Sequence, residues 1–100
     1  MKPILMCEVI DRKRYDTNKA DVIAGNDWWD GHNFERSGRQ MFLFRTKRGS
    51  YFLQHLTQWQ GERDRIEPVS LEDAAKAWEE LTEHRMSFEM AFPLLKVEEA

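Results

Sequence analysis

The strongest constraint on the fold is the stretch MFLFRTKRGSYFLQHL, residues 41–56. Two apolar runs flank a short basic segment with a glycine, which is typical of a β-hairpin with a tight turn. A three-residue loop, 47–49, requires positive φ only at the glycine, whereas a two-residue loop would place Arg48 there. The three-residue loop pairs Phe44 with Phe52 and makes both faces apolar. We therefore expect the hairpin to be central in a sheet or covered on two sides.

Two stretches carry helical signals. Ser70 and Asp73 form a capping box, and apolar side chains then recur at helical spacing, with Trp78 the largest of them. This pattern predicts a helix over residues 71–83 that buries Trp78 against the sheet. A weaker pattern that follows a threonine predicts a short helix over residues 18–24.

These elements predict one α+β domain that spans residues 1–100, a length sufficient for a single core. Its small antiparallel sheet is centred on the hairpin, and the main helix packs on it. We also expect a first strand near residues 6–10 and an edge strand that ends at Pro68. A further helical turn is expected between Ser87 and Pro93.

The composition bears on the compartment. No apolar run approaches the length of a membrane span, and the N-terminal stretch lacks the core and cleavage site of a signal peptide. Cys7 is the single cysteine, which fits a reducing compartment. We expect a cytoplasmic protein that does not contact membranes, with Cys7 buried as a small apolar side chain.

Charge divides the chain into two parts. Residues 1–65 carry twelve Lys/Arg and nine Asp/Glu, whereas residues 66–100 carry three and nine, for a net charge of −3. Such asymmetry marks either an interaction surface or a solvated acidic helix face. The overall negative charge weakly opposes nucleic acid as the main partner.

Exposed aromatic and basic side chains supply the candidate binding site. Tryptophan, tyrosine and arginine are enriched where protein interfaces are strongest, and cations beside rings also suit phosphates and bases. The candidate binding residues are Trp28, Trp29, His32, Arg36, Arg45, Lys47, Arg48, Tyr51 and Trp59. The alternative for the basic residues of the hairpin tip is an ordinary solvated turn that discourages edge pairing.

Catalytic and metal-binding patterns are weak. Asp27, Asp30 and His32 lie close together and could ligate a metal or transfer protons, but such a string is more often a capped turn. The sequence has no phosphate-binding loop, nucleophile elbow or zinc-protease motif. We predict no catalytic residues, no metal site and no cofactor.

Three motifs carry a family resemblance: KRYDTNKADVIAG, LFRTKRGSYFL and IEPVSLEDAAKAW. With them the chain resembles a widespread family of small bacterial proteins of uncharacterised function, often found on plasmids, prophages and other mobile elements. The motifs cover most of residues 13–78, and the chain departs from the family pattern between Gly25 and Gln40 and again at QWQGERDR. The resemblance implies a mobile-element context, and with it an inhibitor of host defence or an accessory regulator.

Three functional hypotheses follow from the sequence. The first is a non-catalytic interaction module that binds a protein partner or itself. The alternative is a nucleic-acid-binding accessory factor that uses the basic hairpin tip, although duplex binding is disfavoured by the net charge. The most distant is a small hydrolase or metal-dependent enzyme built on Asp27, Asp30 and His32.

Overall fold

The computed structural model describes residues 3–26, 39–57, 61 and 63–100, and only the backbone of Arg39. The described chain is α+β, as the sequence predicted. Its elements in chain order are β1 (Cys7–Ile10), β2 (Lys13–Asp16), β3 (Asp21–Gly25), β4 (Arg39–Arg45), β5 (Tyr51–Thr57), β6 (Arg65–Val69), α1 (Leu71–Glu80), β7 (Glu83–His84) and α2 (Phe88–Ala91).

The predicted hairpin is formed by β4 and β5, which lie inside a five-stranded antiparallel sheet of order β6-β5-β4-β3-β7. Phe44 pairs with Phe52 across the strands, as expected for a three-residue loop. Gly49 adopts φ 88°, and the Thr46 amide donates to the Ser50 carbonyl at 2.8 Å. The glycine therefore closes the turn in the left-handed conformation that other residues adopt at a cost.

Both faces of the sheet are covered, because side chains alternate between the two sides of each strand. One face packs against α1 and α2 through Leu43, Leu53 and Phe92. The other packs Phe42 and Phe52, with neighbouring aromatic and aliphatic side chains, against the hairpin formed by β1 and β2. The helices and the β1–β2 hairpin therefore lie on opposite faces of the sheet.

The main helix begins where the sequence predicted and ends earlier. The Ser70 side chain accepts a hydrogen bond from the Asp73 amide at 3.1 Å, which caps the first turn. The helix stops at Glu80, because Leu81 is extended and the chain then enters β7. The predicted helix over 71–83 is thus three residues too long, and Glu83, its last predicted residue, begins β7 instead.

The predicted helix over residues 18–24 is wrong. Residues 21–25 form β3, which lies between β4 and β7. The Thr17 hydroxyl caps no helix: it accepts from the Met6 amide at 2.9 Å and donates to the Ile4 carbonyl at 3.0 Å. Pairing on both sides of β3 satisfies more backbone groups than a short isolated helix could, so tertiary context overrides the local pattern.

Gly25, the last residue of β3, lies directly against a ring of the neighbouring strand. It pairs across the sheet with Phe42, and a Cβ atom at Gly25 would lie 2.6 Å from Cδ1 of that ring. Such a distance is well inside van der Waals contact. The absence of a side chain at this position therefore lets the Phe42 ring approach the β3 backbone closely.

Three smaller predictions from the sequence differ in how well they agree with the structure. The first strand begins at Cys7, and that side chain is exposed rather than buried. The edge strand is confirmed as β6, but Pro68 lies within it, opposite Phe52, instead of ending it. The helical turn after Ser87 is confirmed as α2. Within the described residues, no helix has the length and apolar character needed to cross a bilayer.

Candidate functional site

Five of the nine predicted binding residues lie outside the described residues. They are Trp28, Trp29, His32, Arg36 and Trp59. The acid–base candidates Asp27 and Asp30 also lie outside them. The four predicted binding residues that the structure places are Arg45, Lys47, Arg48 and Tyr51.

Arg45 and Tyr51 hold the fold together. The Tyr51 hydroxyl donates to the Ala91 carbonyl at 2.6 Å, and the side chain is buried. Arg45 Nη1 donates to the Met90 carbonyl at 2.8 Å and to the Ala91 carbonyl at 3.3 Å. Both side chains thus donate to carbonyl groups at the end of α2. The last carbonyl groups of a helix have no donor within the helix, so they need such partners. They fix α2 on the sheet rather than offering a free binding surface.

Lys47 and Arg48 are exposed at the tip of the β4–β5 hairpin, and they face the β1–β2 hairpin across a cavity of about 600 Å³. Six basic side chains line this cavity, which we name the basic groove. They are Arg12, Lys13, Arg14, Lys19, Lys47 and Arg48. The single acidic residue of the described lining is Asp16. Three separate chain segments therefore bring their positive charges to one concave surface.

A tight turn positions the first three cations. Ile10 pairs with Lys13, so Asp11 and Arg12 alone connect β1 to β2. Both adopt the left-handed conformation, with φ 52° at Asp11 and 66° at Arg12. These angles are typical of the type I′ hairpin turn, in which the second position normally carries glycine. Arginine at this position costs conformational energy, and it places one more cation at the rim of the groove.

The cations of the groove have no counterion among the residues that the structure describes. All six are exposed, and within the described part of the chain none forms an ion pair or a side-chain hydrogen bond. Asp16 Oδ1 accepts a hydrogen bond from the Asn18 amide at 2.9 Å and so stabilises the turn after β2. The groove therefore retains its positive potential.

The described lining also lacks an apolar anchor. Its one aromatic ring, Tyr15, is buried and contacts Phe52 edge to face, with 5.6 Å between the ring centroids. The hydroxyl groups of Thr46 and Ser50 complete the wall between the cations. The groove thus offers positive charges and hydroxyl groups but no exposed ring among the residues that the structure describes.

A second feature is the outer surface of β1. Side chains at alternate positions point outward and are exposed: Leu5 is 78% and Val9 64% accessible, and Cys7 between them is also exposed. Thr17 donates its amide to the Met6 carbonyl, and Ile10 pairs with Lys13. Since hydrogen-bonded positions alternate, the backbone groups of Cys7 and Val9 point away from β2. Within the described strands, β1 pairs with β2 alone, so this edge is open.

A third feature is a cleft of about 690 Å³ at the β5–β6 end of the sheet, beside α1. His55 Nε2 lies 2.8 Å from Glu67 Oε1 within it, and Arg65 Nη1 lies 3.9 Å from the same oxygen. These contacts join β5 to β6 across the strand pair. In the described part of the chain, no group of three or more His, Cys, Asp or Glu side chains could hold a metal ion.

Comparison of the chain with protein-family models, curated proteins and solved structures finds no match. The resemblance carried by the three sequence motifs therefore stays a prediction.

The sequence analysis found only part of the basic groove. It selected Lys47 and Arg48, but it missed Arg12, Lys13, Arg14 and Lys19. The signal for three of them was present as the run DRKR, which directly follows the largely apolar stretch ILMCEVI. The two hairpins are distant in sequence, so their approach follows from the packing of β1 and β2 over the sheet and not from any local pattern.

Proposed function

We propose that this protein is a non-catalytic interaction module that holds a negatively charged macromolecule in the basic groove. The observation that supports the proposal is the convergence of six cations, without a counterion among the described residues, in a chain whose net charge is −3. Exposed like charges repel one another only weakly in water, but a concave surface that collects them raises the local positive potential and attracts anions. The backbone strain at Arg12 is a further feature that is typical of functional sites.

Retention on immobilised heparin tests the proposal. Heparin is a polyanion, and a protein of pI near 5.6 without a concentrated basic surface would pass through at neutral pH and low salt. We expect the protein to be retained. The double variant Lys47→Ala/Arg48→Ala should elute at clearly lower salt, because it removes two of the six cations.

The matched control is Lys76→Ala/Lys96→Ala, which removes the same charge from exposed positions outside the groove. This control should elute with the unmodified protein. Passage of the unmodified protein through the column would contradict the proposal. Equal losses of retention in the two double variants would also contradict it, because net charge alone would then explain retention.

The resemblance to small proteins of mobile elements gives this module a biological setting. In that setting, a polyanion-binding module would serve as an accessory regulator or as an inhibitor that occupies a charged surface of a host component. A soluble partner with an acidic surface and a nucleic acid are both ligands of the required charge.

A second candidate function is self-association through β1, favoured by its open edge and exposed apolar side chains. A two-fold axis at Cys7 would pair Leu5 of one copy with Val9 of the other and, over residues 4–10, would place no like charges opposite each other. The strand is thus self-complementary, and edge pairing would add backbone hydrogen bonds to the apolar contact.

Light scattering combined with size-exclusion chromatography tests this second candidate. We expect a dimer that the Val9→Lys variant converts to a monomer, because lysine charges block edge pairing. In the dimer, mild oxidation should join the two Cys7 side chains. A monomer at every concentration studied, or a dimer that the variant leaves intact, would contradict β1 pairing.

A further inference from the structure

We infer that the anion held in the basic groove is the sugar–phosphate backbone of a nucleic acid, bound without base selection. This inference rests on the proposed function and names the chemical class of its ligand.

The first argument is the geometry of the cations. Three of the six are arginines, Arg12, Arg14 and Arg48. The guanidinium group donates two parallel hydrogen bonds to phosphate oxygens, whereas the lysine ammonium acts as a point charge. The lysines of the groove, together with the hydroxyl groups of Thr46 and Ser50, suit further contacts to phosphate and sugar oxygens.

The second argument distinguishes nucleic acid from an acidic protein. Protein interfaces depend on a central apolar or aromatic anchor that is fully desolvated, surrounded by a polar rim. The described lining has no exposed apolar side chain of that size: Tyr15 is buried, and Ala20 is the remaining apolar residue. A surface made of cations and hydroxyl groups lacks the anchor that a protein partner needs, but it suits a phosphate backbone.

The third argument concerns base recognition. Single-stranded nucleic acids are held by rings on which the bases stack. The one ring of the described lining, Tyr15, contacts Phe52 and is buried, so it is not free to stack. The groove should therefore read phosphates alone, and two sequences of equal length should bind with affinities within about two-fold of each other.

Phosphate recognition predicts a defined dependence on salt. If about half of the six cations each neutralise one phosphate, the slope of log K against log salt for a duplex is about −3. Affinity should then fall roughly sixty-fold between about 50 and 200 mM salt. At physiological salt the dissociation constant should lie in the non-specific range of about 10⁻⁴ to 10⁻⁶ M, in keeping with the low net charge.

Fluorescence anisotropy of labelled duplex DNA, titrated with the full chain, tests the inference. Two unrelated sequences should bind alike, with the salt slope given above. Lys47→Ala/Arg48→Ala should weaken binding at low salt by about ten-fold or more, and Lys76→Ala/Lys96→Ala by less than about two-fold. Unlabelled poly-glutamate of matched charge should compete at least about five-fold less well than unlabelled DNA, because duplex DNA presents a denser array of charge and releases more condensed counterions than a flexible carboxylate chain does. Arg14→Gln supplies an independent variant of the groove, and circular dichroism shows whether each variant is folded.

Four other outcomes would overturn the inference, the proposed function or both. Equal competition by poly-glutamate would overturn the choice of nucleic acid while leaving a polyanion-binding groove intact. DNA binding that the groove variants leave unchanged would overturn the inference as well. Retention on heparin without DNA binding at low salt would overturn the inference alone, whereas the loss of both would overturn the proposed function too.

Discussion

Arg12 is the residue at which the structure departs most from the conformational preferences of its sequence. Its φ of 66° is one that arginine adopts at a cost of about 1 kcal/mol or more. Glycine would fit the same turn position without that cost. Within the described part of the chain, the side chain of Arg12 forms no hydrogen bond or ion pair that would offset the strain, and it lies at the rim of the basic groove among five other cations. Replacement of Arg12 by glycine should therefore stabilise the fold but weaken ligand binding.

The substitution Arg12→Gly should raise the free energy of unfolding by about 1 kcal/mol, because it relieves both the strain and the charge repulsion. It should also weaken binding of polyanions. Urea denaturation and heparin elution measure the two effects on the same sample. Arg12→Lys is the control, since it keeps the charge and the strain and should leave both quantities nearly unchanged. A variant that is less stable than the unmodified protein would show that the Arg12 side chain makes a stabilising contact.

At the scale of elements, the residues at the tip of the β4–β5 hairpin have two different roles. Gly49 allows the turn to form, whereas Lys47 and Arg48 are candidate binding residues. Lys47 and Arg48 are exposed and form no ion pair within the described part of the chain, so their joint replacement by alanine should change the free energy of unfolding by less than about 0.5 kcal/mol. Gly49→Val should lower it by about 1 to 2 kcal/mol, because a β-branched residue resists the φ of 88°. Thermal melts compare the two variants. Equal, large losses would mean that the two cations stabilise the fold.

The helix α1 attaches to the sheet less through Trp78 than its sequence pattern predicts. Trp78 is half-buried, and Ala74 is the fully buried residue of the helix. The Trp78 indole stacks on His84 at 3.7 Å between ring centroids and donates from Nε1 to the Met86 carbonyl at 3.1 Å. These contacts join α1 to the segment that follows it, and the indole also packs on the edge of the core.

We therefore expect Trp78→Ala to lower the free energy of unfolding by about 2 to 3 kcal/mol, somewhat less than a fully buried tryptophan would cost. Chemical denaturation measures this loss, with Glu79→Ala as the exposed neighbour whose replacement should be nearly neutral. A loss below about 1 kcal/mol for Trp78→Ala would contradict the contacts described above.

Some elements could be predicted from the sequence alone and others could not. The β4–β5 register and the start of α1 were predicted correctly, because a glycine turn and a capping box act over a few residues. Residues 18–24 were predicted wrongly, because β3 is set by pairing with β4 and β7. The basic groove was predicted only at Lys47 and Arg48, since its other cations reach it through the packing of a separate hairpin.

At the scale of the whole molecule, exposed carboxylates concentrate on α1, whereas cations concentrate in the basic groove. The helix α1 carries exposed carboxylates on one face of the sheet, and the β1–β2 hairpin that forms part of the basic groove covers the other. The negative net charge is therefore compatible with a locally positive surface. Such a charge distribution would orient the molecule toward a polyanion and would keep the acidic face turned away.

Two-dimensional ¹H–¹⁵N nuclear magnetic resonance, recorded while short duplex DNA is added at low salt, tests the central claim most directly. We expect the largest shift changes at the amides of residues 11–20 and 46–50, which border the basic groove. Amides of α1 and of the cleft around His55 and Glu67 should stay nearly unchanged, and the shifts should reverse as salt is added. Changes centred on α1 or the cleft, or no changes at all, would contradict the claim that the groove between the two hairpin tips is the binding site.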